Sequence, residues 1–92
     1  MDQVKRQSLS VLVDNEAGVL SQVSRMFSRK GYNIESLAVG TTEDPTISRI
    51  TIEVLADEDH AELIANQLRK LFIVHSLKVL PPEKSSRIHR RK

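Results

Sequence analysis

The 92 residues include 39% hydrophobic and 28% charged side chains, three aromatic residues, no cysteine and a formal net charge of +2. A chain of this size holds one modest core. Without cysteine it has no disulfide framework, thiolate metal site or cysteine nucleophile, and no apolar stretch approaches the ~20 residues that span a bilayer. Residues 83–92 carry Lys84, Arg87, Arg90, Arg91 and Lys92 against Glu83, which leaves nine basic and eleven acidic groups elsewhere. The positive charge therefore belongs to a segment after Pro81-Pro82, a strong stop for helix and strand. The expected organisation is one domain over 1–80 and a basic, disordered tail over 81–92. No signal-peptide pattern opens the chain, so a cytoplasmic location is expected. A domain this small has reason to oligomerise.

Ser8–Val13 alternates, with Leu9, Val11 and Val13 on one face, and predicts a half-buried strand. The polar run Asp14-Asn15-Glu16-Ala17-Gly18 predicts a turn. A helix follows over 17–30, with Leu20, Val23, Met26 and Phe27 at helical spacing and Arg29-Lys30-Gly31 as its stop. Asn33–Thr42 reads as a strand through Ile34, Leu37 and Val39, with a bulge around Glu35-Ser36. After the turn Glu43-Asp44-Pro45-Thr46, Ile47–Leu55 alternates clearly: Ile50, Ile52 and Val54 oppose Arg49, Thr51 and Glu53. Asp57-Glu58-Asp59 opens a helix over 58–71 whose stripe is Leu63, Ile64, Gln67, Leu68 and Leu71. Ile73–Leu80 reads as a last strand with two possible inward faces, of which the one with Leu77 and Val79 is preferred.

The order βαββαβ predicts an α+β, ferredoxin-like sandwich, a four-stranded antiparallel sheet with two helices on one face. The expected core sets Leu9, Val11, Ile50 and Ile52 against Leu20, Val23, Phe27, Leu63, Ile64 and Leu68. The sheet edges and the other face remain open, which favours a homodimer.

Several functions share this topology. RNA-recognition sheets stack bases on aromatics, and the central strands SLSVLV and ISRITIEV have none. The basic tail is the weaker remaining route to nucleic acid. His60, His75 and His89 lack metal-ligand spacing. No phosphate loop or G-x-S-x-G serine occurs, and Asp57-Glu58-Asp59 suits helix-start electrostatics better than acid–base work. An acylphosphatase-like hydrolase would need an arginine in the first loop, and DNEAG has none. That loop is the place that looks built for a ligand. It enters a helix N-terminus whose free N–H groups favour a carboxylate, Gly18 permits close approach, and Asn15 offers donor and acceptor. Alternatively, Asp14 or Asn15 simply caps the helix and Gly18 eases the turn.

The stretch from DNEAGVLSQVSRMFSRKGYNIESLAVG through TTEDPTISRITIEV resembles the ACT domain of acetolactate synthase (acetohydroxyacid synthase) regulatory small subunits. SRKGYNIESLAVG, TEDP and SR-x-TI are its family-specific parts, and the likeness covers about residues 8–80. The resemblance implies a non-catalytic ACT homodimer that binds and activates a separate large subunit. That subunit carries thiamine diphosphate, Mg2+ and FAD and condenses pyruvate with pyruvate or 2-oxobutyrate; this chain is expected to hold no cofactor. The resemblance further implies feedback inhibition by valine, or by leucine or isoleucine, bound between two ACT domains. Asn15, Ala17, Gly18, Val19 and Leu20 would line the site from one protomer, and Asn33 and Ile34 from its partner. Ala17 departs from the family's usual Pro or Ser. Most relatives continue into a second domain, so the chain resembles the short, single-domain members. The alternative is a stand-alone amino-acid-binding ACT homodimer without a synthase partner.

Overall fold

Two long strands form the centre of the molecule. The computed structural model describes residues 4–80, so the expectation of a disordered tail over 81–92 lies outside the described residues. The elements are β1 (Lys5–Asp14), α1 (Val19–Lys30), β2 (Ile34–Thr41), β3 (Ile47–Ala56), α2 (Glu58–Arg69) and β4 (Val74–Leu80). The strands form one antiparallel sheet in the order β2-β3-β1-β4. β1 and β3 pair from Lys5 opposite Ala56 to Asp14 opposite Ile47. Alternation brings Leu9, Val11 and Val13 together with Ile50, Ile52 and Val54 on one face, where both helices pack. The ferredoxin-like βαββαβ sandwich read from the sequence is thus the observed fold.

β1 starts three residues before its alternation is legible. Lys5, Arg6 and Gln7 are held by pairing with β3, and the buried Gln7 donates Nε2–H to the Ala56 carbonyl at 3.0 Å. The bulge expected near Glu35 is present: Ile34 opposes Val54, Ser36 opposes Glu53, and Glu35 is the extra residue. Ser36 Oγ donates to Glu53 Oε1 at 2.9 Å, while Arg6 lies 3.5 Å from Glu35 and 3.9 Å from Glu53. A second bulge, not anticipated, falls in β4, where Leu12 opposes Ser76 and Val13 opposes Val74, with His75 left over. Leu77 and Val79 oppose Val11 and Leu9 and pack on the core, as the sequence reading had them.

Both helices differ from their expected stripes. α1 begins at Val19, because Gly18 is left-handed at φ 91°, and it buries Val19, Val23, Met26 and Phe27. Leu20, expected in the core, is 43% exposed. The turn of 100° per residue that brings Val19 over Val23 swings Leu20 off that face. α2 buries Ala61, Ile64, Ala65 and Leu68, leaving Leu63 46% exposed. Small alanines let this helix lie close to the sheet, so side-chain size misjudged its inner face. α1 ends on Gly31 at φ 77°, with Tyr32 N–H bonded to Phe27 O at 3.1 Å and Gly31 N–H to Ser28 O at 3.2 Å. Tyr32 then packs edge-on against the buried Phe27, centroids 5.8 Å apart. Core side chains such as Phe27, Leu9, Ile50, Ile52 and Leu68 each contribute about 1.5–3 kcal/mol by leaving water.

Candidate ligand site at the β1–α1 loop

β1 ends at Asp14 beside the start of β3 and of β4. Three connections therefore gather at one end of the sheet: the loop 15–18, the hairpin turn 42–46 and the turn 70–73. Backbone bonds join them. Asn15 N–H donates to Thr46 O at 2.8 Å, and Asp14 N–H donates to Ile73 O at 3.0 Å. Asn15 Nδ2 donates to Pro45 O at 2.9 Å, and His75 Nε2 lies 2.5 Å from Asp14 Oδ1. The β4 bulge is what places His75 there.

The hairpin turn is locked from within. Thr42 Oγ1 lies 2.9 Å from the Asp44 and Ile47 carbonyls and accepts from Asp44 N–H at 3.1 Å. Asp44 Oδ1 accepts from Thr46 N–H at 2.9 Å and from Thr46 Oγ1 at 2.7 Å. These two bonds, backbone first, hold the Asp44 carboxyl below the usual carboxylate range, with the charge of His75 a smaller contribution.

The α1 N-terminus is bare. Its N-cap is Gly18, no side chain caps it, and its first turn has no acidic residue. Asp14 is turned to His75 and Asn15 to Pro45, so neither is the cap that the simpler sequence reading allowed. Val19 N–H reaches Glu16 O at 3.3 Å and Gln22 N–H reaches Gly18 O at 2.9 Å. Between them, the N–H groups of Leu20 and Ser21 have no partner among the described residues. α2 is the internal contrast. Asp57 caps it, accepting from His60 N–H at 2.7 Å, and Glu58 and Asp59 fill its first turn. One helix of this chain thus satisfies its positive end, and the other leaves it uncapped among the described residues.

The expected site residues divide into two groups. Asn15, Ala17 and Gly18 are exposed at this end, with Leu20 partly so; Val19 is buried and offers only backbone. A Cβ built on Gly18 meets nothing within 4 Å, so the space above it is open. Asn33 and Ile34 lie past the far end of α1, whose 12 residues span about 18 Å. A single chain does not bring the two groups together. Asn33 instead borders a hollow of about 240 Å³ with Tyr32, Asp57 and His60. The ties of Asn15 to Pro45 and of Asp14 to His75 join residues 30 and 61 apart, and no local pattern signals such pairs.

Residues 9–76 match the family described as AHAS small subunit-like ACT domain. The chain is 56% identical over 66 residues to the acetolactate synthase isozyme 3 small subunit of Escherichia coli, covering 72% of this chain and 40% of that protein. It is 46% identical over 85 residues to the acetolactate synthase small subunit of Buchnera aphidicola subsp. Schizaphis graminum, covering 92% and 52%. The crystal structure of the acetolactate synthase small subunit from Thermotoga maritima superposes with a TM-score of 0.80 at 37% identity, covering 85% of this chain and 48% of that one. The chain spans about half the length of the relatives it matches, or less.

Proposed function

This chain belongs to the ACT-domain family of acetohydroxyacid synthase small subunits, and we propose that it is a non-catalytic regulatory subunit that activates a separate large subunit and carries feedback inhibition by a branched-chain amino acid, valine first. The observation that carries the reading is the bare α1 N-terminus, set at the opposite end of α1 from Asn33. An amino acid's α-carboxylate fits the free N–H groups of Leu20 and Ser21. Asn15 commits Nδ2 to Pro45 and keeps Oδ1 to accept from the ammonium. Leu20, half out of the core, is an apolar surface for a branched side chain.

The remaining half of the site comes from a second copy. β2 is an edge strand with one side unpaired among the described residues. Two-fold pairing of β2 with the partner's β2 runs the start of one strand against the end of the other. The partner's Asn33 and Ile34 then arrive beside Thr41, at the end where the 15–18 loop and the 42–46 turn meet. Ligand binding and dimer geometry are thereby linked, and a large subunit that distinguishes two dimer arrangements reads the effector. Thiamine diphosphate, Mg2+ and FAD belong on that large subunit.

Calorimetric titration of the chain with valine, leucine, isoleucine and alanine tests this. Saturable heat selective for a branched chain is expected, and ligand at ~100 times its Kd stabilises the fold by about 2.7 kcal/mol. No heat from the chain alone, nor from its complex with the large subunit, overturns the sensor reading. Failure to co-purify with any large subunit favours the stand-alone homodimer.

A further inference from the structure

We propose that His75 makes effector binding pH-dependent: a second proton on its ring balances the Asp14 charge beside the ligand loop and tightens the hold on an amino acid's carboxylate. This rests on the ligand reading above. The β4 bulge makes His75 the extra residue between Val74 and Ser76 and so presents its ring to the end of β1. His75 Nε2 lies 2.5 Å from Asp14 Oδ1, one residue before Asn15. A carboxylate only accepts, so Nε2 carries a proton whether the ring is neutral or charged. The second proton therefore goes to Nδ1. The hydrogen bond survives the titration and only the charge changes, from an anionic pair to a neutral one.

The surrounding charges set the sign. Asp14 touches the ring, and Asp44, lowered first by its bonds from Thr46, also feels the charge of His75. Glu16 and Glu43 are exposed in the same two connections. The fixed cations at this end are Lys70, in the 70–73 turn, and Arg49, which borders a hollow with Glu43 and Asp44. Asp14, Glu16, Glu43 and Asp44 thus outnumber Lys70 and Arg49 around a helix end that is to receive an anion. With His75 neutral that excess opposes a carboxylate; with His75 charged it is halved. Histidine changes charge between about pH 5 and 8, a range in which a free amino acid keeps both of its own charges. The His75 side chain is 50% exposed and that of Asp14 26%, so water and salt screen the effect to about threefold in affinity.

The test is calorimetry of the full chain with valine from about pH 5 to about pH 8, on wild type, H75Q and H60Q. Wild-type affinity is expected to fall about threefold as pH rises, with about a quarter of a proton taken up on binding near the midpoint, read from the dependence of the heat on the buffer's own ionisation. Glutamine keeps an N–H for Asp14 but takes no charge. H75Q should therefore bind at every pH with the weaker, high-pH affinity of wild type and take up no proton, while its melting temperature stays near that of wild type. His60, the other histidine among the described residues, borders the hollow beside Asn33, and H60Q should keep the wild-type slope. A pH-independent wild type overturns the proposal, as does an H75Q that keeps the slope or an H60Q that loses it. If valine gives no heat at any pH, with or without the large subunit, the sensor reading falls first and this proposal falls with it.

Discussion

Gly18 holds a backbone conformation that an L-residue adopts with strain, although a side chain there would meet open space. Gly18→Ala is therefore expected to cost about 1 kcal/mol through the backbone, lowering the melting temperature by roughly 4–8 °C. Its effect on valine affinity should be larger still, because in the proposed site the added methyl group would stand where the ligand approaches the α1 N–H groups. Calorimetry on the folded variant separates the two. Asn33 is different, being exposed and outside the core. Asn33→Ala should leave stability within about 0.5 kcal/mol of wild type and abolish valine binding. Wild-type affinity in that variant would remove Asn33 from the site. Asp57 contributes to the pH dependence of stability, as does Asp44. The His60 N–H, then the His60 ring, hold the Asp57 carboxyl below the ordinary 3.8. A carboxyl lowered on folding stabilises the fold above its unfolded value, and that support fades as pH falls through the folded one. Asp57→Ala should lower the melting temperature at pH 7 and flatten its fall below pH 4; an unchanged acid limb would show that other carboxylates govern it.

Among the elements, α2 shows how far side-chain size misleads. Ala65 is fully buried under the helix while the larger Leu63 is 46% exposed. Ala65→Leu is expected to cost about 1–3 kcal/mol by overpacking, and Leu63→Ala much less, both read from denaturant midpoints. The reverse order would mean that α2 sits on its other face. Element order and the β2 bulge were legible because period-two alternation and turn chemistry are local signals, whereas the last strand allowed two inward faces and only its pairing with β1 selects Leu77 and Val79. The inner faces of the helices were not, since Val19 and Leu20 are both apolar and only the φ of Gly18 decides where α1 starts. The first three residues of β1 and the β4 bulge were hidden for a related reason, being imposed by neighbouring strands. At the site, the loop and its glycine could be read from the sequence, and so could the likeness that named the residues. That Asn15 spends its amide on Pro45, and that Asp14 faces His75, depended on contacts far along the chain.

At the scale of the whole molecule, the open β2 edge is where the proposed homodimer would join. Val39 there is 52% exposed, on an edge strand with no partner on its outer side among the described residues. Val39→Lys places two like charges near the two-fold axis and should give a folded monomer in sedimentation, with valine heat lost along with the partner's Asn33. A V39K dimer that still binds valine would locate the interface elsewhere. The separation of the two halves of the proposed site by the length of α1 also has a genetic consequence. Each proposed site takes Asn15 from one copy and Asn33 from the other, so N15A and N33A chains are each blind to valine alone. Mixed and allowed to exchange, they form heterodimers in which one site carries both lesions and the other carries neither. Two defective proteins should therefore complement each other, restoring about a quarter of the sites when pairing is random.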